Sequence, residues 1–183
     1  MEVAEIIIKY RQDIWRLLEH YQLEGHAVEI GVAEGRNAEV IAAWPQITKL
    51  YLIDNWGHLQ QAGDGGFAEA WHYKNWRETR ERMKRFPKAE MLKGKSFDML
   101  KHIPDDSLIY AYIDCDHSYD GCLADLHSVW PKMKEGGIIA GHDVLNTSYG
   151  VRKAVEHFTG QRNIEWHIIE DEHPSMASFW FRK

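Results

Sequence analysis

The chain has 183 residues, 44% of them hydrophobic, which fills one core and hardly two, so a single domain over 1–183 is expected. A formal charge of −6 argues against an electrostatic grip on nucleic acid, and no apolar run approaches the ~20 residues of a membrane span. The acidic start Met1-Glu2-Val3-Ala4-Glu5 lacks a signal peptide's basic region, and Cys115 and Cys122 match no zinc or redox spacing, so a cytoplasmic protein with reduced thiols is expected.

In chain order, a helix is predicted over 3–21, where Ile6, Ile7, Tyr10, Ile14, Leu17, Leu18 and Tyr21 form an apolar stripe. A short buried strand over 27–31 then breaks into a glycine loop, and a helix begins near Gly35 to Asn37. The next strand, 48–54, ends in Asp54. After it, 56–76 mixes glycines with Trp56, Trp71, Tyr73 and Trp76, the composition of a lid or acceptor-binding loop, with an oligomer contact as the alternative. Arg77, Arg80, Lys84 and Arg85 fall at helical spacing beside Trp76, Met83 and Phe86, which reads as a solvated helix face rather than a nucleic-acid surface.

Strands follow at 89–93, 108–114 and 136–141, and a helix at 149–159. The runs 165–169 and 177–181 are joined by too short a segment for a crossover, so they must be antiparallel. Strands alternating with helices predict a parallel sheet covered on both faces.

The glycine loop reads Glu29-x-Gly31-x-x-x-Gly35, not the G-x-G-x-x-G of dinucleotide folds. Glycine permits positive φ and close approach, and the following helix start directs unpaired N–H groups at a ligand. Glu29 and Glu34 would repel a pyrophosphate, so the loop suits a positively charged ligand, and S-adenosylmethionine (SAM), a sulfonium without phosphate, fits. These residues resemble the class I SAM-dependent methyltransferases, whose first motif is acid-x-Gly-x-x-x-Gly and whose second strand ends in an acid for the ribose hydroxyls, here Asp54. The resemblance implies an α/β, Rossmann-like, doubly wound seven-stranded sheet, mostly parallel with one antiparallel strand near the C-terminus.

Tyr112-Ile113-Asp114-Cys115-Asp116-His117-Ser118-Tyr119, then Pro131-Lys132-Met133-Lys134-Glu135-Gly136-Gly137, then Ala140-Gly141-His142-Asp143 look like the small methyltransferase family related to sugar and macrolide O-methyltransferases. The resemblance implies O-methylation of a small hydroxylated acceptor, glycosides included. It implies a magnesium ion held by Asp114 and Asp143, with His117, beside Asp114, as catalytic base. His142 stands where relatives have a second acid, which leaves open fewer carboxylate ligands, a softer metal such as manganese or iron, or no metal, and Asp116 is a further oxygen donor. The cofactor set is completed by Asn55, by Trp56 as an adenine stack or loop anchor, by Ser96 as an adenine contact or helix cap, and by Asp114. The alternatives are a metal-dependent hydroxylase-like enzyme on the same fold and a non-catalytic SAM-binding module. No membrane partner is expected, and a homo-oligomer is compatible with the sequence.

Overall fold

The computed structural model describes residues 8–57, 67–170 and 177–183, leaving the side chains of 67–69 aside. Strand β4 (Leu108–Ile113, LIYAYI) is buried at every position, as a strand covered on both faces must be, and it is the middle of a seven-stranded sheet. The strands are β1 (Gly25–Ile30), β2 (Ile47–Asp54), β3 (Ala89–Lys93), β4, β5 (Met133–Gly141), β6 (Trp166–Ile169) and β7 (Ser178–Arg182), in the order β3-β2-β1-β4-β5-β7-β6. The first five run parallel, while β7 is antiparallel to both β5 and β6. Ile169 and Ser178 face each other in register, as the ends of two antiparallel strands with a short connection do.

The helices are α1 (Trp15–His20), α2 (Arg36–Ala43), α3 (Phe67–Met83), α4 (Ser96–Met99), α5 (Tyr119–Val129) and α6 (Val151–Gly160). Alternation along the strands divides the apolar residues into two cores. Val28, Ile30 and Ile113 pack with Leu126, Val129 and Phe158 of α5 and α6 on one face. Ala27, Leu52, Tyr110 and Tyr112 pack with Ile14, Leu18 and Ile41 of the N-terminal half on the other. The expected doubly wound sheet with one antiparallel strand is what forms.

Strand order reverses between β1 and β4, which opens a crevice at the carboxyl ends of those two strands. Asp54, Asp114, His142 and Asp143 follow or close strands at that end, while Lys132, Lys134 and Glu135 lie at the opposite end, where β5 starts.

Two boundaries differ from the sequence reading by more than two residues. The first helix was expected over 3–21; residues 1–7 lie outside the described residues, and helical structure starts only at Arg11, as a short 3-10 turn over Arg11–Ile14 leading into α1. Asp13 sets the start, its carboxylate accepting from the Tyr10 backbone N–H at 3.0 Å while its own N–H donates to the Tyr10 carbonyl at 2.8 Å. Strand β5 begins at Met133 rather than 136, because a register shift opposite Leu108 and a positive φ at Gly136 carry a polar, turn-like sequence into the sheet. Of the expected lid at 56–76, residues 58–66 lie outside the described residues and 67–76 belong to α3.

Candidate functional site

The glycine loop is held by its own chain. Gly31 and Gly35 have φ of +85° and +79°, the left-handed region that disfavours side chains. A Cβ on Gly31 would lie 1.9 Å from the Asp114 carbonyl oxygen, so the loop passes directly against the end of β4. Asp54 then fastens it: Oδ2 accepts from the backbone N–H groups of Val32 and Ala33, both at 2.9 Å, and Oδ1 accepts from that of Trp56 at 2.8 Å. The Ala33 carbonyl in turn accepts from the Trp56 indole at 2.9 Å and the Thr79 hydroxyl at 2.7 Å.

Glu29 is 2% exposed on β1, beneath this loop. One carboxyl oxygen accepts from the Asn37 amide at 3.0 Å and the other is buried without a hydrogen-bond partner. Burial pushes its pKa up to about 8; the Asn37 bond opposes this, the charges of Asp114 and Asp54 add to it, and that of Arg11 opposes it. At neutral pH the carboxyl is mostly protonated.

The second half of the site is the mouth at the ends of β4 and β5. His117 Nε2 lies 3.2 Å from Asp114 Oδ1 and 3.0 Å from Asp143 Oδ2. His142, 8% exposed, brings Nδ1 to 3.3 Å from Asp143 Oδ2 and 4.0 Å from Asp114 Oδ1, and its Nε2 is buried without a partner among the described residues. The His117 ring stacks on Tyr149 at 4.5 Å, and its carbonyl accepts from Gly150 N–H at 2.8 Å, so the two loops brace each other. Asp143 itself has a φ of +60°, a strained value for a side-chain-bearing residue. The hydrogen bond to Asp114, then the charges of Asp143 and Asp116, raise the His117 pKa against the effect of burial. An imidazole so placed holds its proton more firmly than a free one, which weakens it as a base at neutral pH.

The structure thus brings Glu29, Gly31, Gly35, Asp54, Asp114, His117 and Asp143 to one end of the sheet. Others point elsewhere. Trp56 is 2% exposed and packed in the core, the placement of a loop anchor. The Ser96 hydroxyl bonds the buried Asp125 carboxylate rather than a backbone N–H, with Lys95 at the cap position of α4. Asp116 turns away from the mouth to accept from Ser118 N–H at 2.8 Å. Glu34 pairs with Arg36, and Asn55 accepts from Gly57 N–H at 3.4 Å. Cys115 and Cys122 are free thiols.

Sequence reasoning passed over Thr79, Asn37 and Tyr149. Thr79 had one available signal, a small polar residue on the inward side of an otherwise charged helix, and it is 0% exposed. Tyr149 had none, since its contact with His117 exists only once two loops have folded together.

Residues 28–144 match the family model described as a methyltransferase domain, and the chain belongs to that family. No curated protein matches the sequence. Among solved structures, an O-methyltransferase from Bacillus cereus in complex with SAH is 16% identical, with a TM-score of 0.67, over 99% of this chain and 84% of that one. Cofactor-bound Rv0187 from MTB is 15% identical with a TM-score of 0.67, covering 99% and 83% of the two chains. The O-methyltransferase NovP is 18% identical with a TM-score of 0.65, covering 94% and 77%. At these identities the structures establish the shared fold. Fold and family together make this a SAM-binding enzyme of the class I methyltransferase type. No helix among the described residues is long and apolar enough to cross a membrane.

Proposed function

We propose that the chain transfers a methyl group from SAM to a hydroxyl of a small, polyhydroxylated acceptor. The observation that carries this reading is the contact between the two halves of the site: Gly31, in the cofactor loop, packs against the Asp114 backbone, and Asp114 opens the carboxylate–imidazole mouth. A sulfonium over the loop therefore has a polar acceptor site as its neighbour. Methyl transfer is an in-line displacement, so the protein's task is to align the hydroxyl oxygen with the methyl carbon and to receive the proton as the bond forms. Asp54 shapes the loop that cradles the ribose end, and the group formed by Asp114, His117 and Asp143 orients the hydroxyl and takes its proton. A divalent ion held between Asp114 and Asp143 would lower the hydroxyl's pKa. NovP and the Bacillus cereus protein, both described as O-methyltransferases, support oxygen as the acceptor atom.

The test is methyl transfer from methyl-labelled SAM to a panel of small sugars, glycosides and catechols, with amines and thiols as controls. Label appearing in a methyl ether, and lost in Asp114→Asn, is the expected result. Label on nitrogen or sulfur acceptors alone would replace the hydroxyl reading. SAM binding without transfer to any acceptor would favour a non-catalytic module.

A further inference from the structure

The crevice at the carboxyl ends of β1 and β4 has a polar floor on one face of the sheet. Glu29 and Tyr112 pair in register on these adjacent strands, each one residue short of its strand's end, so both side chains lie on the same face where strand order reverses. Ser178, the first residue of the antiparallel β7, comes to the same end, and its Oγ lies 3.3 Å from Tyr112 Oη. Arg11 reaches this group from the 3-10 turn, Nη1 donating to Tyr112 Oη at 3.4 Å. Glu29, Tyr112 and Ser178 are each more than nine-tenths buried, and one Glu29 carboxyl oxygen has no partner among the described residues. Burial raises the pKa of Glu29, Tyr110 and Tyr112, and the charge of Arg11 opposes the rise at all three, so the guanidinium's field covers the floor from β1 to β4.

A phenol, a hydroxyl and a guanidinium joined beneath a crevice carry a desolvation cost that leucine and alanine would not. A ligand of opposite charge explains their placement. The carboxylates at this end, Asp54, Asp114 and Asp143, suit the sulfonium and ammonium of SAM but repel its α-carboxylate, which is attached to the same carbon as the ammonium. A cation beside a carboxyl group is the complement of that zwitterion, and a planar guanidinium fork matches a carboxylate better than a lysine ammonium does.

We propose that Arg11, tethered through Tyr112 and Ser178, binds the α-carboxylate of SAM and makes the site select donors with a complete amino-acid end. Arg11 is the binding residue, and Tyr112 and Ser178 are positioning residues that act through it. The assignment rests on the SAM site and not on the acceptor or on methyl transfer.

The test is calorimetric titration of the full chain, without acceptor, using SAM and decarboxylated SAM, which keeps the sulfonium and the amine and lacks only the carboxylate. The acids of the crevice alone would favour the decarboxylated compound, which carries the greater positive charge, so a preference for SAM requires the cation. The parent protein should bind SAM at least about tenfold tighter than the decarboxylated compound. Arg11→Met should lower SAM affinity about tenfold or more and leave the decarboxylated compound unchanged, so the preference collapses. Arg11→Lys, which keeps the charge and loses the fork, should fall between parent and Arg11→Met. Tyr112→Phe should lower the same ratio about threefold, whereas a merely structural role would weaken both ligands equally. Circular dichroism shows whether each variant is folded, and Arg11→Gln is the second variant should methionine disturb the turn. Equal affinity of the parent for both ligands, or equal weakening of both in folded Arg11→Met, would overturn the assignment. An unchanged ratio accompanied by loss of methyl transfer to acidic acceptors alone would also overturn it, since the guanidinium would then serve the acceptor. Folded parent protein that binds neither ligand would overturn it together with the cofactor site, a failure distinct from the others.

Discussion

The glycine loop and the mouth lie against each other at Gly31 and Asp114, yet they are built on opposite terms. At the loop, Asp54 is matched by three backbone N–H groups and the Ala33 carbonyl by two side-chain donors, while Glu29 beneath it keeps one carboxyl oxygen without a partner among the described residues. In the mouth, Asp114 and Asp143 meet only imidazoles, and the buried His142 Nε2 has no partner. A loop fastened by such hydrogen bonds is shaped before its ligand arrives and receives it with little rearrangement. A surface that gathers like charges is stable only in proportion to the cation it finds. The comparison therefore assigns cofactor shape to the loop and charge-dependent chemistry to the mouth.

The comparison breaks most severely where the two halves touch. Gly31→Ala places a methyl group inside the Asp114 carbonyl and forces a positive φ on alanine. A loss of about 4 kcal/mol or more is expected, read by urea denaturation or as a failure to accumulate folded protein.

Next is the buried carboxyl under the loop. The folded pKa of Glu29, about 8 against an ordinary value of 4.5, means that the native state keeps a proton the unfolded chain has released. Stability is therefore lost as pH rises from about 4.5 to about 8, and above that the full cost of a buried charge remains, on the order of 4 kcal/mol. Glu29→Gln should be more stable than the parent at pH 9 and show a flatter stability profile across that window. Parallel profiles in urea melts at pH 5, 7 and 9 would refute the assignment.

Asp54→Ala removes the acceptor for three N–H groups and should cost about 3 kcal/mol. Asp54→Asn, which keeps one acceptor oxygen, should cost less than Asp54→Ala. Equal melting temperatures for these two variants would mean that the carboxylate does not hold the loop.

The smallest effects sharpen the contrast. Thr79→Val should cost about 1 kcal/mol by freeing the Ala33 and Asn75 carbonyls from the hydroxyl. Tyr149→Ala removes a stack on a partly exposed ring and should cost about 1 kcal/mol or less. That variant should leave SAM affinity unchanged, because Tyr149 belongs to the mouth. Thr79→Val should weaken SAM binding through the loop. The opposite pattern, measured by titration, would dissolve the division of labour.

Legibility in the sequence followed the same division. The loop was readable because glycine spacing and an acid at a strand end report local backbone requirements: Gly31, Gly35 and Asp54 all lie where the chain's own turns place them. The antiparallel strand β7 was readable from connection length alone. The mouth was readable only as residue types. That Asp114 and Asp143 would converge followed from strand ends in a parallel sheet, but the entry of His117 Nε2 between them depends on how the 143–150 loop folds back on the 114–119 loop. The outward turn of Asp116 is likewise a matter of its carboxylate accepting from the Ser118 N–H, one of two outcomes the sequence leaves equal. Trp56 could stack on a ligand or anchor the loop until the Ala33 carbonyl was seen to accept from its indole.

The measurement that tests the account most directly is calorimetric titration of SAM into the folded protein, repeated with Asp54→Asn and Asp143→Asn. The account predicts one SAM per chain, weakened when the loop's clamp is altered and little changed when the mouth is. Folded wild-type protein that takes up no SAM, or binding that survives Asp54→Asn and fails in Asp143→Asn, would contradict it.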